Sequence, residues 1–158
     1  MKVIIDGCDL TGKTTLINQI KAYYNDPKLS HLHFSYKDRR DYEFYDTMLD
    51  KENFIADRHF LDEMIYPEVF NRKNSLNPGE FTELYMKCLN NNIKIIILTC
   101  SEEELLRRSK TRNEEKEVAE NLIAINEKFI RLADYYNLQT FDTTKNKLTE
   151  IIDFIERN

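Results

Sequence analysis

The octet Gly7-Cys8-Asp9-Leu10-Thr11-Gly12-Lys13-Thr14 constrains this chain more than any other stretch. It satisfies G-x-x-x-x-G-K-[ST], follows a short aliphatic run and opens an amphipathic one. A loop of this kind wraps a phosphate with inward-pointing backbone N–H groups, and a Cβ at either glycine would obstruct the wrap. Two of the three glycines in the chain are placed there. A helix starting at Lys13 adds its N-terminal dipole, Lys13 reaches phosphate oxygens, and the Thr14 hydroxyl is a candidate Mg²⁺ ligand. Gly7 through Thr15 are therefore expected to bind a nucleotide triphosphate, with Leu16, Ile17, Ile20 and Tyr24 as the buried face of the helix.

Downstream, short aliphatic runs alternate with longer amphipathic ones. This predicts an α/β fold of three layers, a five-stranded parallel sheet with helices on both faces. The strand candidates are residues 3–5, 32–34, 54–56, 93–98 and 138–141. Phe81, Leu84, Tyr85, Cys88 and Leu89 form a helical stripe opened by Asn77 and Pro78, with Glu80 placed for a capping box. A second stripe runs from Val118 through Leu122, Ile125, Phe129 and Leu132 to Tyr136, and a third through Leu148, Ile151, Ile152 and Ile155.

The 158 residues suit one domain, and the formal charge of −5 gives no broad attraction for a nucleic-acid backbone or an anionic membrane. Nucleic acid is not an expected partner. Three cysteines without C-x-x-C spacing point away from a disulfide framework and toward the cytoplasm. No apolar run is long enough to span a bilayer, and the apolar stretch ending at Asp6 is too short for a secretory signal.

A second motif narrows the chemistry. The run 54–56 ends in Asp57-Arg58, where a carboxylate can hold Mg²⁺ or its water shell and a guanidinium can clamp a second phosphate. A strand-end ion pair is the plainer reading of the same two residues. Asp57-Arg58-His59 followed by Tyr66 resembles the D-R-[aromatic]…A-Y-Q element of thymidylate kinases. Asp6-Gly7-Cys8-Asp9 through Thr15 is similar to that family's E-G-x-D-x-x-G-K-T-T start, with Asp6 in place of Glu. Leu105 through Arg112 is similar to the L-x-R-x-x-x-R that opens its lid, and Phe141-Asp142-Thr143-Thr144 to its adenine-contacting loop. The segment between Lys13 and Asp57 is shorter than in typical members and lacks the family's Phe-x-x-x-Arg helix, which leaves the acceptor base open. The short form, with Glu63 and Tyr66, resembles compact bacteriophage nucleotide kinases.

This resemblance implies a single domain over residues 1–158, with a lid at about 107–117 and an acceptor segment at about 35–52. It implies Mg²⁺ and ATP as donor, a deoxynucleoside monophosphate such as dTMP as acceptor, a host cytoplasm if phage-encoded, and a possible homodimer. Lys13 serves the donor, Asp57 the metal's water shell, Arg58 the acceptor phosphate, and Arg108 and Arg112 the transferring group. Asp9, Tyr36, Arg39 and Tyr66 join Arg58 on the acceptor side, and Thr143 lies on the ATP side. Lys37 and Arg40 are further phosphate candidates, and Tyr42, Phe44 and Tyr45 are base-stacking or core residues. Glu103 and Glu104 stand four residues before Arg107 and Arg108, the spacing of an ordinary exposed helix face.

A nucleoside 5′-hydroxyl kinase would need a carboxylate base, for which Asp38 or Asp41 is available. A polynucleotide 5′-kinase and a non-catalytic nucleotide-binding module would each carry such a phosphate loop as well. Asn146-Lys147-Leu148-Thr149 lacks the aspartate of a guanine-reading N-K-x-D. His31 and His33 flank Leu32 on one strand without the further ligands of a metal site, and His59 is a core candidate.

Overall fold

In the central strand, β1 (Lys2–Asp6), side chains alternate between two cores. Val3 and Ile5 pack with Leu16, Ile17 and Ile20 of α1 (Lys13–Tyr24) and with Ile151, Ile152 and Ile155 of α7 (Leu148–Glu156). Ile4 joins the opposite core, beneath α4 (Pro78–Asn90) and α6 (Lys116–Tyr136). Period-two alternation with both faces covered is why this strand reads as an unbroken aliphatic run.

The computed structural model describes all residues except 36, 39, 113–115 and 158, and the side chains of 116–119. The remaining strands are β2 (Ser30–His33), β3 (Phe54–Asp57), β4 (Lys94–Thr99) and β5 (Gln139–Asp142). The sheet is parallel throughout, in the order β2-β3-β1-β4-β5. The expected three-layer α/β fold is thus the observed one. Among the described residues no helix is long and apolar enough to cross a membrane.

The α4 capping box forms as expected: the Glu80 N–H donates to Asn77 Oδ1 at 3.0 Å, and the Asn77 N–H to Glu80 Oε2 at 2.8 Å. Its stripe needs one correction, since Leu89 is exposed while Phe81, Leu84 and Cys88 are buried. Leu89 stands in the last turn of the helix, at the rim of the core. Val118 lies outside the described side chains.

Two further elements flank β3 in the chain, one before it and one after it. Helix α2 (Tyr42–Leu49) is started by Asp41, whose Oδ1 accepts the Phe44 N–H at 3.0 Å, and it buries Tyr45 and Leu49. After β3, residues Phe60–Met64 form a 3₁₀ turn that leads into α3 (Tyr66–Val69). That turn buries Asp62 and Glu63 beside apolar neighbours.

Candidate active site

Loops after β1 and β3 meet at the C-terminal edge of the sheet, where open parallel sheets take their ligands. Among the described residues six non-glycine positions have positive φ. Four are asparagines, which tolerate the left-handed region; the other two are Leu10 (φ 68°) and Arg58 (φ 71°). Backbone strain is thus concentrated in the phosphate loop and the Asp-Arg element, the two segments singled out by motif. Gly7 is equally constrained. Its φ is 137°, and a Cβ there would stand 2.3 Å from the Leu98 carbonyl oxygen. Gly7→Ala is expected to destabilise the fold by at least about 2 kcal/mol, read as a urea midpoint shift.

Helix α1 begins at Gly12 with no side-chain cap and no acidic residue in its first turn. Its first N–H groups therefore remain available to an anion. Lys13 Nζ donates to the carbonyls of Gly7 at 2.8 Å and Cys8 at 2.7 Å, and burial followed by the nearby Arg58 charge lowers its pKa. A cavity of about 450 Å³ opens beside it, with Asp9, Leu10, Gly12, Lys13, Thr14, Thr15 and Thr143 among its lining residues. Gly7, Cys8 and Thr11 lie behind that lining, fully buried or nearly so. The Cys8 thiol, pushed up to about 12 by burial, is a small filler group and not a reactive one. The Thr143 hydroxyl donates to the Thr11 carbonyl at 3.0 Å and closes the loop against β5.

Asp57 and Arg58 face the same cavity. Asp57 Oδ2 lies 3.1 Å from His33 Nδ1, while its Oδ1 is buried without a hydrogen-bond partner. Arg58 is 4% exposed and heavily held. Its Nη1 donates to Asp62 Oδ2 at 3.3 Å and to the Tyr66 hydroxyl at 2.8 Å, and its Nη2 is ion-paired with Asp9. Tyr66 itself is sealed in the core and does not line the cavity; it acts on the site by holding Arg58.

Helix α5 (Glu102–Arg112) lines a further part of the cavity through Arg107, Arg108 and Arg112. Arg108 Nη1 donates to the Leu10 carbonyl at 2.6 Å, so α5 is tied to the phosphate loop. Glu104 alone accepts from both neighbours, Arg107 three residues on and Arg108 four residues on, at 2.6 Å each. Hydrogen bonds from Arg107, then Arg108, bring its carboxyl down to about 2. Tyr36 and Arg39 lie outside the described residues.

His33 and Arg107 line the cavity, and Asp62, which does not, holds Arg58; none of the three is among the residues expected there. The sequence signal for His33 is register, since it pairs with Asp57 across β2 and β3. His59 is core: it is 1% exposed among Phe34, Tyr45 and Phe60, and burial pushes it down to about 3. Its folded pKa lies below the unfolded value near 6.5, so folding is penalised once the unfolded chain begins to bind that proton. Between about pH 6.5 and 3 each pH unit is expected to remove on the order of 1 kcal/mol of stability, and His59→Leu should lose that part of the slope in urea titrations at pH 7, 6 and 5.

No protein-family model matches the sequence, and no curated protein sequence matches it. Solved structures do. The YorR protein of Bacillus subtilis, in complex with phosphorylated GDP, superposes with a TM-score of 0.79 at 19% identity over 98% of this chain and 93% of that one. The chain shares the fold of that protein. The deoxyadenosine kinase of M. mycoides with the products dCMP and a flexible dCDP gives a TM-score of 0.56 at 20% identity, covering 98% and 96% of the two chains. The same enzyme with dATP gives 0.57 at 19% over 99% and 100%.

Proposed function

We propose that the chain is an ATP-dependent kinase that phosphorylates a deoxynucleoside monophosphate to the diphosphate, with dTMP as first candidate from the Asp57-Arg58 element. One observation carries this reading: among the described residues a single cavity is lined by five cationic side chains, Lys13, Arg58, Arg107, Arg108 and Arg112, and by two carboxylates, Asp9 and Asp57, while Glu104 and Asp62 pair three of the arginines from outside its lining. That excess suits a triphosphate donor and a second, acceptor phosphate together. The two carboxylates that a 5′-hydroxyl kinase could use as base are engaged elsewhere. Asp41 caps α2, and Asp38 is exposed beside Arg40; neither lines the cavity. A monophosphate is already ionised near neutral pH and needs no such base.

Asp57 Oδ1, a buried oxygen with no partner, and the Thr14 hydroxyl on the cavity wall fit Mg²⁺ carried in by the nucleotide. Among the described residues no group of three or more His, Cys, Asp or Glu side chains is placed to hold a metal alone, so phosphate oxygens would complete its coordination. The ion would neutralise charge on the donor phosphates. His33 fixes the Asp57 carboxylate, Lys13 and the first turn of α1 hold the donor, and Arg58 aligns the acceptor phosphate. Arg108 and Arg112 then meet the charge that develops on the transferring group as the lid closes.

A second reading, a deoxynucleoside kinase, is favoured by the deoxyadenosine kinase neighbour. Steady-state ADP production with Mg·ATP, across nucleoside monophosphates, nucleosides and a 5′-hydroxyl oligonucleotide, separates the two. Turnover with deoxynucleoside monophosphates is expected; turnover with nucleosides alone would replace the acceptor assignment.

A further inference from the structure

We infer that Glu104 is a positioning residue for phosphoryl transfer, one carboxylate that sets two cavity arginines, Arg107 and Arg108, and through Arg108 holds the phosphate loop at Leu10. The spacing of an exposed helix face would give two separate pairs, Glu103 with Arg107 and Glu104 with Arg108. Both arginines converge on Glu104 instead. Arg107 donates from Nε to Oε2 and from Nη2 to Oε1, and Arg108 donates from Nε to Oε1, each at 2.6 Å. The backbone under the carboxylate is fixed as well: the Glu104 N–H donates to Ser101 Oγ at 3.3 Å, and Leu105, the next residue, is fully buried.

Among the described residues these bonds occupy the Nε edge of each guanidinium and leave Arg107 Nη1 and Arg108 Nη2 for a ligand in the cavity that both residues line. An arginine that is not held is a costly phosphate ligand, because its rotamer freedom is lost each time the anion binds. Two guanidinium groups side by side also repel, and the carboxylate between them offsets that repulsion. Arg107 and Arg108 thus form one pre-set unit for the oxygens of a transferring phosphoryl group.

The second link runs into the phosphate loop. Arg108 Nη1 donates to the carbonyl of Leu10, a residue held at φ 68°. In a trans peptide the carbonyl and the following N–H point opposite ways, so a Leu10 carbonyl held toward α5 also fixes the Thr11 N–H. Glu104 orients Arg108, and Arg108 keeps this peptide from turning over. A carboxylate beside an anion site opposes anion binding by its charge. The contribution of Glu104 is therefore geometric, which predicts a split: without it, ground-state affinity for the nucleotide holds or improves while transfer slows.

The role in transfer rests on the kinase reading; the hold on the two arginines does not. Glu104→Ala is expected to lower kcat about tenfold or more without raising the KM for ATP, while Glu104→Gln, which keeps the Oε1 acceptor shared by both arginines, stays within about threefold of wild type. An unchanged kcat in Glu104→Ala, or a rise in KM alone, would overturn the positioning role. Protein labelled with ¹⁵N at arginine is expected to show two slowly exchanging Nε–H resonances that are lost in Glu104→Ala and that persist in the wild type when Mg²⁺ and inorganic tripolyphosphate are added. No resonance that responds to Glu104→Ala would overturn the inference whatever the enzyme's activity, and so would loss of the pair on adding tripolyphosphate, since phosphate would then displace the carboxylate. If no acceptor is turned over, the kinase reading fails and the arginine spectrum still decides whether Glu104 holds the pair.

Discussion

Lys13→Ala is expected to lower kcat by roughly a hundred- to a thousandfold, with a much smaller effect on ATP binding. The ammonium is buried in the cavity wall, at the point where the loop backbone and the first turn of α1 converge. Those backbone N–H groups remain in the variant and still hold the donor phosphates. On the proposed reading, what would be lost is a buried positive charge set beside the phosphoryl group as its charge redistributes. Single-turnover phosphoryl transfer, set beside equilibrium nucleotide titration, separates the two quantities. An equal loss in both would make Lys13 a ground-state binding group only.

The second large effect is expected at Arg58. Its guanidinium spans Asp9, Asp62 and the Tyr66 hydroxyl, a planar fork that a lysine cannot reproduce. Arg58→Lys should cut kcat/KM for the acceptor about a hundredfold while leaving the KM for ATP within about threefold. Arg58→Ala leaves Asp62 buried without its cation and should cost about 3–5 kcal/mol of stability by urea unfolding. The double variant with Asp62→Asn should recover part of that loss, because the two residues form one interaction. Additive losses would mean that the pair is not energetically coupled.

The phosphate loop and the helix stripes are legible in the sequence because each depends on near neighbours. The Asn77–Glu80 box, for example, closes within three residues and needs no tertiary partner. Strand β2 begins two residues before its apolar run, since at an exposed edge only Leu32 is apolar and the span is set by pairing with β3, Ser30 against Phe54. The segment before β3 reads as a row of aromatics. Its helix depends on Asp41 as cap, and only Tyr45 and Leu49, four apart, are buried. The charged interior of the site is the least legible part. Asp62 and Glu63 look like solvent-facing residues until the 3₁₀ turn buries them, Asp62 against Arg58 and Glu63 against the Tyr45 hydroxyl.

The most direct test of the kinase assignment follows a label. Enzyme, Mg²⁺ and ATP labelled at the γ-phosphate are incubated with dTMP and the other deoxynucleoside monophosphates, and the products are separated by charge. The expected result is label at the β-position of a deoxynucleoside diphosphate, lost in Lys13→Ala. Label confined to inorganic phosphate, or appearing only in a monophosphate when nucleosides are supplied, would contradict it.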